Sequence, residues 1–179
     1  MELLSIGFPT RGGIARGPHF MDEDFAFGNA LIEAVQFDES GMPPRVVLAP
    51  DVAAIATRHA YEGRFPYVVK DNDGLLVVSY LGALFENFPD FPLHFETLTT
   101  HRNAIIAGLS NAEPTVQDKY RWLACYHNFA CRDRQAQPYG ANDEDMAHAI
   151  WSDLQRLDEY LIADEYLDTA NYTFSSQLR

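Results

Sequence analysis

The chain has 179 residues, with 26 aspartates and glutamates against 13 lysines and arginines, and a formal net charge of −13. Its hydrophobic fraction of 47% argues against a disordered chain. No apolar run reaches the ~18 residues that would cross a bilayer. Because so acidic a surface repels phosphate backbones, we expect no nucleic-acid partner. The first residues also lack the basic region and long apolar core of a secretory signal, so we expect no membrane partner and a cytoplasmic location.

Two cysteines occur, Cys125 and Cys131. Their spacing suits neither a zinc knuckle nor a CxxC redox pair. We expect both to be small apolar side chains in a reducing compartment. The six histidines form neither HxH nor HExxH, and His127 falls on an apolar helical stripe, which predicts a satisfied core histidine.

The first predicted elements are a glycine-rich strand over residues 10–17, a hairpin over 19–27 with an acidic tip at 22–24, and a helix that Gly28 opens. Little side-chain bulk remains on the strand, which indicates close approach by a ligand or by another backbone. The acidic tip is typical of a solvated turn.

The later sequence alternates strand and helix patterns up to residue 80 and is helical afterwards. The further predicted elements are a strand at 45–49, a helix from 50 to about 61, a hairpin over 67–79, an irregular or short helical stretch at 81–95, and helices at 97–110, 113–131 and 143–168.

These elements predict an α+β fold in which helices pack on a small, mainly antiparallel sheet, followed by a helical C-terminal extension. We place the boundary between the two parts at residue 96, which gives domains over 1–96 and 97–179.

The order RGGIARG, acidic hairpin, FGNALIEAVQFDES and PRVVLAP, over residues 11–49, resembles the class III nucleotidyl cyclase domain. It is most similar to the bacterial pyrimidine cyclases of the Pycsar antiphage system, and KYRWLACYHN at 119–128 looks like the helical tail of that group. The resemblance covers residues 1–131, and its specific part is 11–34.

The resemblance implies a partial ferredoxin-like fold and a homodimer with active sites at the subunit interface. Each site would convert UTP or CTP into cyclic UMP or cyclic CMP and pyrophosphate, as a signal in antiviral defense. Two divalent ions, Mg²⁺ or Mn²⁺, would activate the ribose hydroxyl and stabilise the leaving phosphates.

Carried over by position, the base-reading residue is Phe25, three residues before the helix-opening Gly28. Phe25 could stack on a base or narrow the pocket against purines. It could equally be a strand residue in the dimer interface. The family's ribose-positioning Asn is replaced by Ile32 and its transition-state Arg by Gln36, which puts efficient catalysis in doubt.

The nearest cations in sequence are Arg11 and Arg16, and Arg16 stands beside Gly17, where a phosphate could approach. The alternative for Arg16 is a solvated strand arginine. The family's metal-binding aspartates precede its RGGI strand, and Glu2 is the one acid before Arg11 here. We therefore expect this chain to lack the metal-binding half and, alone, to be inactive.

Two other functions remain open. One is a non-catalytic pseudocyclase that binds a nucleotide or regulates a full-length cyclase partner. The other is an interaction module unrelated to cyclases, with the helix predicted at 143–168 as its interface. The incomplete site keeps both alternatives alive, because a fold-level likeness supports function only by analogy.

Overall fold

The computed structural model describes residues 10–39, 43–60, 63, 65, 67–86, 91–111, 113–136 and 154–178. These residues form a mixed α+β structure, as expected, with five α-helices, a five-stranded sheet and a two-stranded sheet. Contacts divide them into a sheet unit, residues 10–78 with 174–178, and a helical unit, residues 79–173. The division thus falls at residue 79, whereas the sequence placed it at 96.

The sheet unit has one parallel strand pair, and its other pairs are antiparallel. The strands are β1 (Gly12–Ile14), β2 (Phe20–Met21), β3 (Ala26–Phe27), β4 (Val46–Leu48), β5 (Val68–Asp71), β6 (Leu76–Val78) and β7 (Phe174–Ser175). The large sheet has the order β1-β4-β6-β5-β7, in which β1 pairs with β4 in parallel and Gly13 faces Val47.

Two helices belong to the sheet unit, α1 (Asn29–Glu39) and α2 (Pro50–His59). Helix α2 begins with a proline and carries Asp51 in its first turn and Arg58 in its last turn, which complements the helix dipole. The core cluster of this unit joins Leu48, Ala56, Ala60, Val68, Leu76 and Leu178.

A buried ion pair links the start of β4 to the β5–β6 turn. Arg45 bonds the carboxylate of Asp71, and its Nη2 donates to Asp73 Oδ2 at 2.5 Å. The side chains of Arg45 and Asp71 are 4% and 0% exposed. Burial lowers the pKa of Arg45, but the two carboxylates more than offset this and raise its pKa above the usual value.

Asp73 and Gly74 stabilise the β5–β6 turn. The Asp73 carboxylate accepts the Leu75 N–H at 3.0 Å, and Gly74 adopts φ +85°, a left-handed conformation that favours glycine. The hairpin that the sequence predicted around this turn is therefore present.

The helical unit contains α3 (Tyr80–Glu86), α4 (Phe91–Asn111) and α5 (Pro114–Ala136), followed by 3-10 helices Arg156–Tyr160 and Asp164–Tyr166. Helices α4 and α5 approach closely at Gly108, where an added Cβ would clash with the Tyr120 ring. Within the described parts of the chain, no helix has the length and hydropathy of a membrane span.

The prediction of one helix over 143–168 is wrong where residues are described, because 161–163 are not helical and two short 3-10 helices flank them. Asn128 explains the extended backbone: its amide exchanges two hydrogen bonds of 2.8 Å with the backbone of Ile162. Residues 143–153 lie outside the described residues.

The sequence also predicted that only helices follow residue 80. Strand β7 instead returns to the sheet unit and pairs with β5. A strand of two residues has too little alternation of apolar and polar side chains for a periodicity argument to detect.

We expect Arg45→Met to lower the free energy of unfolding by about 3–5 kcal/mol, because it leaves the buried Asp71 carboxylate without its counter-charge. The matched control is Arg11→Met, which removes a pair with Asp38 whose side chains are 41% and 49% exposed. That change should cost at most about 1 kcal/mol. Urea unfolding of both variants measures the difference, and equal costs would contradict the assignment.

Candidate functional site

A cavity of about 540 Å³ lies against the glycine-rich strand of the sheet unit. Residues 13–17 form one side, and the β2–β3 hairpin and helix α1 contribute further lining. Among the lining residues, Arg16 and His19 have basic side chains. The cavity has the size range of small-molecule sites.

Two glycines allow the surrounding elements to pack this closely. An added Cβ at Gly13 would lie 2.8 Å from the Phe37 ring and 2.9 Å from the Ala34 carbonyl oxygen. An added Cβ at Gly28 would lie 2.7 Å from the Pro18 carbonyl oxygen. At Gly13, on the strand for which the sequence indicated close approach, the neighbours are the Phe37 ring and the Ala34 backbone of this same chain.

The acidic hairpin tip is built around Asp22. Its carboxylate accepts the N–H groups of Asp24 at 2.9 Å and Phe25 at 2.7 Å, and its own N–H donates to the Phe25 carbonyl at 2.9 Å. These bonds close a tight turn between β2 and β3. The tip is therefore a turn, as the sequence reading favoured.

Of the predicted site residues, Arg16 and Gly17 line the cavity. Arg11 is exposed and its Nε donates to Asp38 Oδ1 at 2.9 Å. Gly28 lies beneath the hairpin, where its missing side chain lets Pro18 and His19 approach.

The other three predicted residues project elsewhere. Phe25 is 69% exposed and Ile32 is 57% exposed. Gln36 is exposed on α1. None of the three is among the lining residues. The structure thus brings Arg16 and Gly17 together at one cavity and does not gather Phe25, Ile32 and Gln36 around it.

An exposed apolar surface is formed by side chains of β1, the β2–β3 hairpin and α1, and sequence reasoning missed it. We call it the apolar surface. Its members are 43–72% exposed, and five of them also line the cavity. They are Ile14, Phe20, Met21, Phe25, Phe27, Leu31, Ile32 and Val35. Grouped exposure of this kind marks an interaction site. The available signal is the helical spacing of Leu31 and Val35, which gives α1 one apolar face.

The helical unit contains a buried chain of hydrogen bonds, which we call the histidine relay. The Tyr80 hydroxyl lies 3.2 Å from His101 Nε2, the two Nδ1 atoms of His101 and His127 lie 2.9 Å apart, and His127 Nε2 lies 3.0 Å from the Tyr160 carbonyl oxygen. The expected core role of His127 is therefore confirmed.

One arrangement of protons satisfies the relay. The Tyr160 carbonyl can only accept, so His127 Nε2 carries a proton, and the Nδ1 of a neutral His127 then accepts. His101 donates from Nδ1 and accepts the Tyr80 O–H at Nε2. Burial lowers the pKa of His127 to about 4, and burial and the neighbouring ring lower the pKa of His101 as well.

The two cysteines lie in the same helix as His127. Burial raises the pKa of the Cys131 thiol to about 12, so this group is a poor nucleophile. Cys125 Sγ accepts the N–H of Asp168 at 3.3 Å. Both cysteines are buried and free, in line with their expected structural role.

The described residues contain no group of three or more histidine, cysteine, aspartate or glutamate side chains that could hold a metal ion. Asp22 is engaged in its turn.

Comparisons of this chain with protein-family models, with curated proteins and with solved structures find no match.

We expect Gly13→Ala to lower the free energy of unfolding by about 1–3 kcal/mol, because the new methyl group meets the Ala34 backbone. Gly17→Ala is the matched control, since its Cβ would lie 3.3 Å from the Ala30 methyl group, which asks for only a small shift. Chemical denaturation compares them. A Gly13→Ala variant as stable as Gly17→Ala would contradict the packing described.

We expect the protein to lose stability as the pH falls from about 7 towards 4. Both relay histidines have pKa values below those of the unfolded chain, so unfolding takes up protons in this range. Each histidine contributes a slope of up to about 1.4 kcal/mol per pH unit. Denaturant titrations at several pH values measure the slope. His127→Gln should reduce it, and an unchanged slope would contradict the relay.

Proposed function

We propose that this chain is the nucleotide-binding part of a pyrimidine-type nucleotidyl cyclase, with the triphosphate of UTP or CTP seated in the cavity beside Arg16. The carrying observation is that the cavity is lined by the segment that resembles the cyclase family, residues 11–34. The sheet unit would then be part of a ferredoxin-like cyclase fold.

The local topology supports this proposal. The resemblance rests on an order of elements that the structure also has: β1, the hairpin, α1 and β4. Strands β1 and β4 pair in parallel, and α1 lies between them in the sequence. Residues 13–17 line the cavity, where Arg16 would supply a cation for phosphate oxygens.

The apolar surface supports the proposal that the chain acts as a dimer. Because five of its side chains also line the cavity, a protein seated there would cover the bound nucleotide. That protein would be a second copy of the chain, or a full-length cyclase partner.

Cyclisation needs two divalent ions. Among the described residues no group of three or more histidine, cysteine, aspartate or glutamate side chains lies together. Gln36 cannot supply the charge of an arginine to the developing phosphate, and it is not among the lining residues. We therefore propose that the isolated chain binds nucleotide and forms negligible cyclic UMP or cyclic CMP from it.

A second candidate is a pseudocyclase that binds nucleotide without turning it over and regulates a full-length cyclase. The exposed positions of Ile32 and Gln36, outside the lining of the cavity, favour it. The two candidates differ in whether an in-frame metal-binding strand is encoded upstream, and in whether a version extended through it makes cyclic nucleotide.

The test is calorimetric titration of the chain with UTP, CTP, ATP and GTP, with and without manganese. We expect the chain to bind a pyrimidine nucleotide. Arg16→Ala should lower the affinity for that nucleotide by about 10–100-fold, which corresponds to the loss of one hydrogen bond to a charged group. Arg58→Ala is the matched control, because Arg58 is exposed in the same unit and does not line the cavity.

Absence of binding by all four nucleotides would contradict the proposal. So would an equal effect of Arg16→Ala and Arg58→Ala. Cyclic nucleotide formed by the pure chain in the presence of manganese would contradict the expected inactivity, and would leave nucleotide binding in place.

A further inference from the structure

The sheet unit is completed by a segment that reaches it from beyond the helical unit. This segment, residues 174–178, is called the closing segment here. It contains β7, which lies at the edge of the sheet beside β5, and Leu178. Residues 79–173 of the helical unit separate it from β6 in the sequence.

The closing segment occupies a defined acceptor site. Ser175 faces Lys70 and Phe174 faces Asp71 in the antiparallel ladder. Leu178 is 5% exposed and belongs to the core cluster, and its N–H donates to the Gly63 carbonyl at 2.8 Å. The acceptor site is thus the edge of β5 that β7 covers, together with the apolar space that Leu178 fills.

This acceptor site resembles the sites that bind peptides by strand addition. Backbone pairing at an exposed edge supplies hydrogen bonds, and one buried side chain supplies sequence preference. The core of the unit otherwise comes from β4, α2, β5 and β6, which lie together in the chain between 46 and 78.

Few contacts hold the closing segment in the acceptor site. Its strand has two residues, and within the core cluster Leu178 is its one member. The three residues 169–171, just before it, are exposed, and Asp168 accepts the N–H of Asn171 in a local turn. Short edge elements of this kind open by local unfolding before the whole structure does.

We propose that the acceptor site exchanges its occupant, taking the closing segment of a second copy in place of its own. The occupant is a second copy because the segment seated on the site is the chain's own, so an exchanged segment repeats every contact. Exchange of an identical element between protomers needs no new surface and is a low-cost route to a dimer. This pairing is independent of nucleotide and of the apolar surface.

Disulfide trapping tests the exchange in full-length chains. Lys70 and Ser175 are directly opposed across the ladder, at a separation that suits a disulfide. The native Cys125 and Cys131 are buried. The double variant Lys70→Cys with Ser175→Cys should close within one chain under mild oxidation.

A mixture of the two single variants, Lys70→Cys and Ser175→Cys, should then form a covalent heterodimer. Its yield should exceed by about tenfold that of a control pair, Lys70→Cys with Ser110→Cys, because Ser110 is exposed in another unit. Adding Leu178→Asp to the Ser175→Cys chain should cut the yield by at least about tenfold, since a carboxylate is costly in an apolar site.

Three results would overturn the proposal. The first is a double variant that does not close, because the strand pairing would then be wrong. The second is a mixture that gives no more heterodimer than the control pair. The third is a yield that survives Leu178→Asp, or that falls equally with Gln177→Asp, an exposed neighbour whose substitution leaves the apolar contact intact.

Discussion

The packing of α1 directly on β1 is the constraint on which the sheet unit depends. At Gly13 the helix comes so close that an added Cβ would lie 2.9 Å from the Ala34 carbonyl oxygen, so this position of the strand requires glycine. The hairpin is held in a similar way, because the missing side chain of Gly28 admits the backbone of Pro18. On the same helix, Leu31 and Val35 are each 43% exposed.

Each unit buries a polar arrangement, and the two are satisfied by different means. In the sheet unit, Arg45 retains its charge because the carboxylates of Asp71 and Asp73 face it. In the helical unit, His101 and His127 remain neutral, and each polar atom of the relay meets a matching donor or acceptor. Because one arrangement of protons satisfies the relay, other packings of these helices would leave buried polar atoms without partners. The relay therefore helps to specify a single packing of the helical unit.

Local patterns predicted most of the sheet unit. Glycines indicated the close approach at β1, and the turn residues 71–74 predicted the β5–β6 hairpin. Apolar periodicity predicted α1, and the start signal Pro50-Asp51 predicted α2. The histidine relay was beyond such reasoning, because His101 and His127 lie on different helices and meet only after packing. The same holds for β7 and for the extended residues 161–163, which follow partners distant in sequence.

The candidate site was predicted in part for the same reason. Arg16 and Gly17 stand beside the glycine strand in both the sequence and the structure, so proximity along the chain sufficed. For Phe25, Ile32 and Gln36 the assignment rested on a positional likeness, which carries no information about the direction of a side chain. The exposed apolar surface could not be told from a core face, since helical spacing does not say what lies opposite.

The late arrival of β7 has a consequence for biosynthesis. When the ribosome has finished β6, the edge of β5 is still bare, and it stays so while residues 79–173 are added. At a translation rate of about 5–20 residues per second, this interval lasts on the order of 5–20 s. During that time the nascent sheet has an uncovered edge, the kind of surface on which chaperones and neighbouring nascent chains on a polysome act.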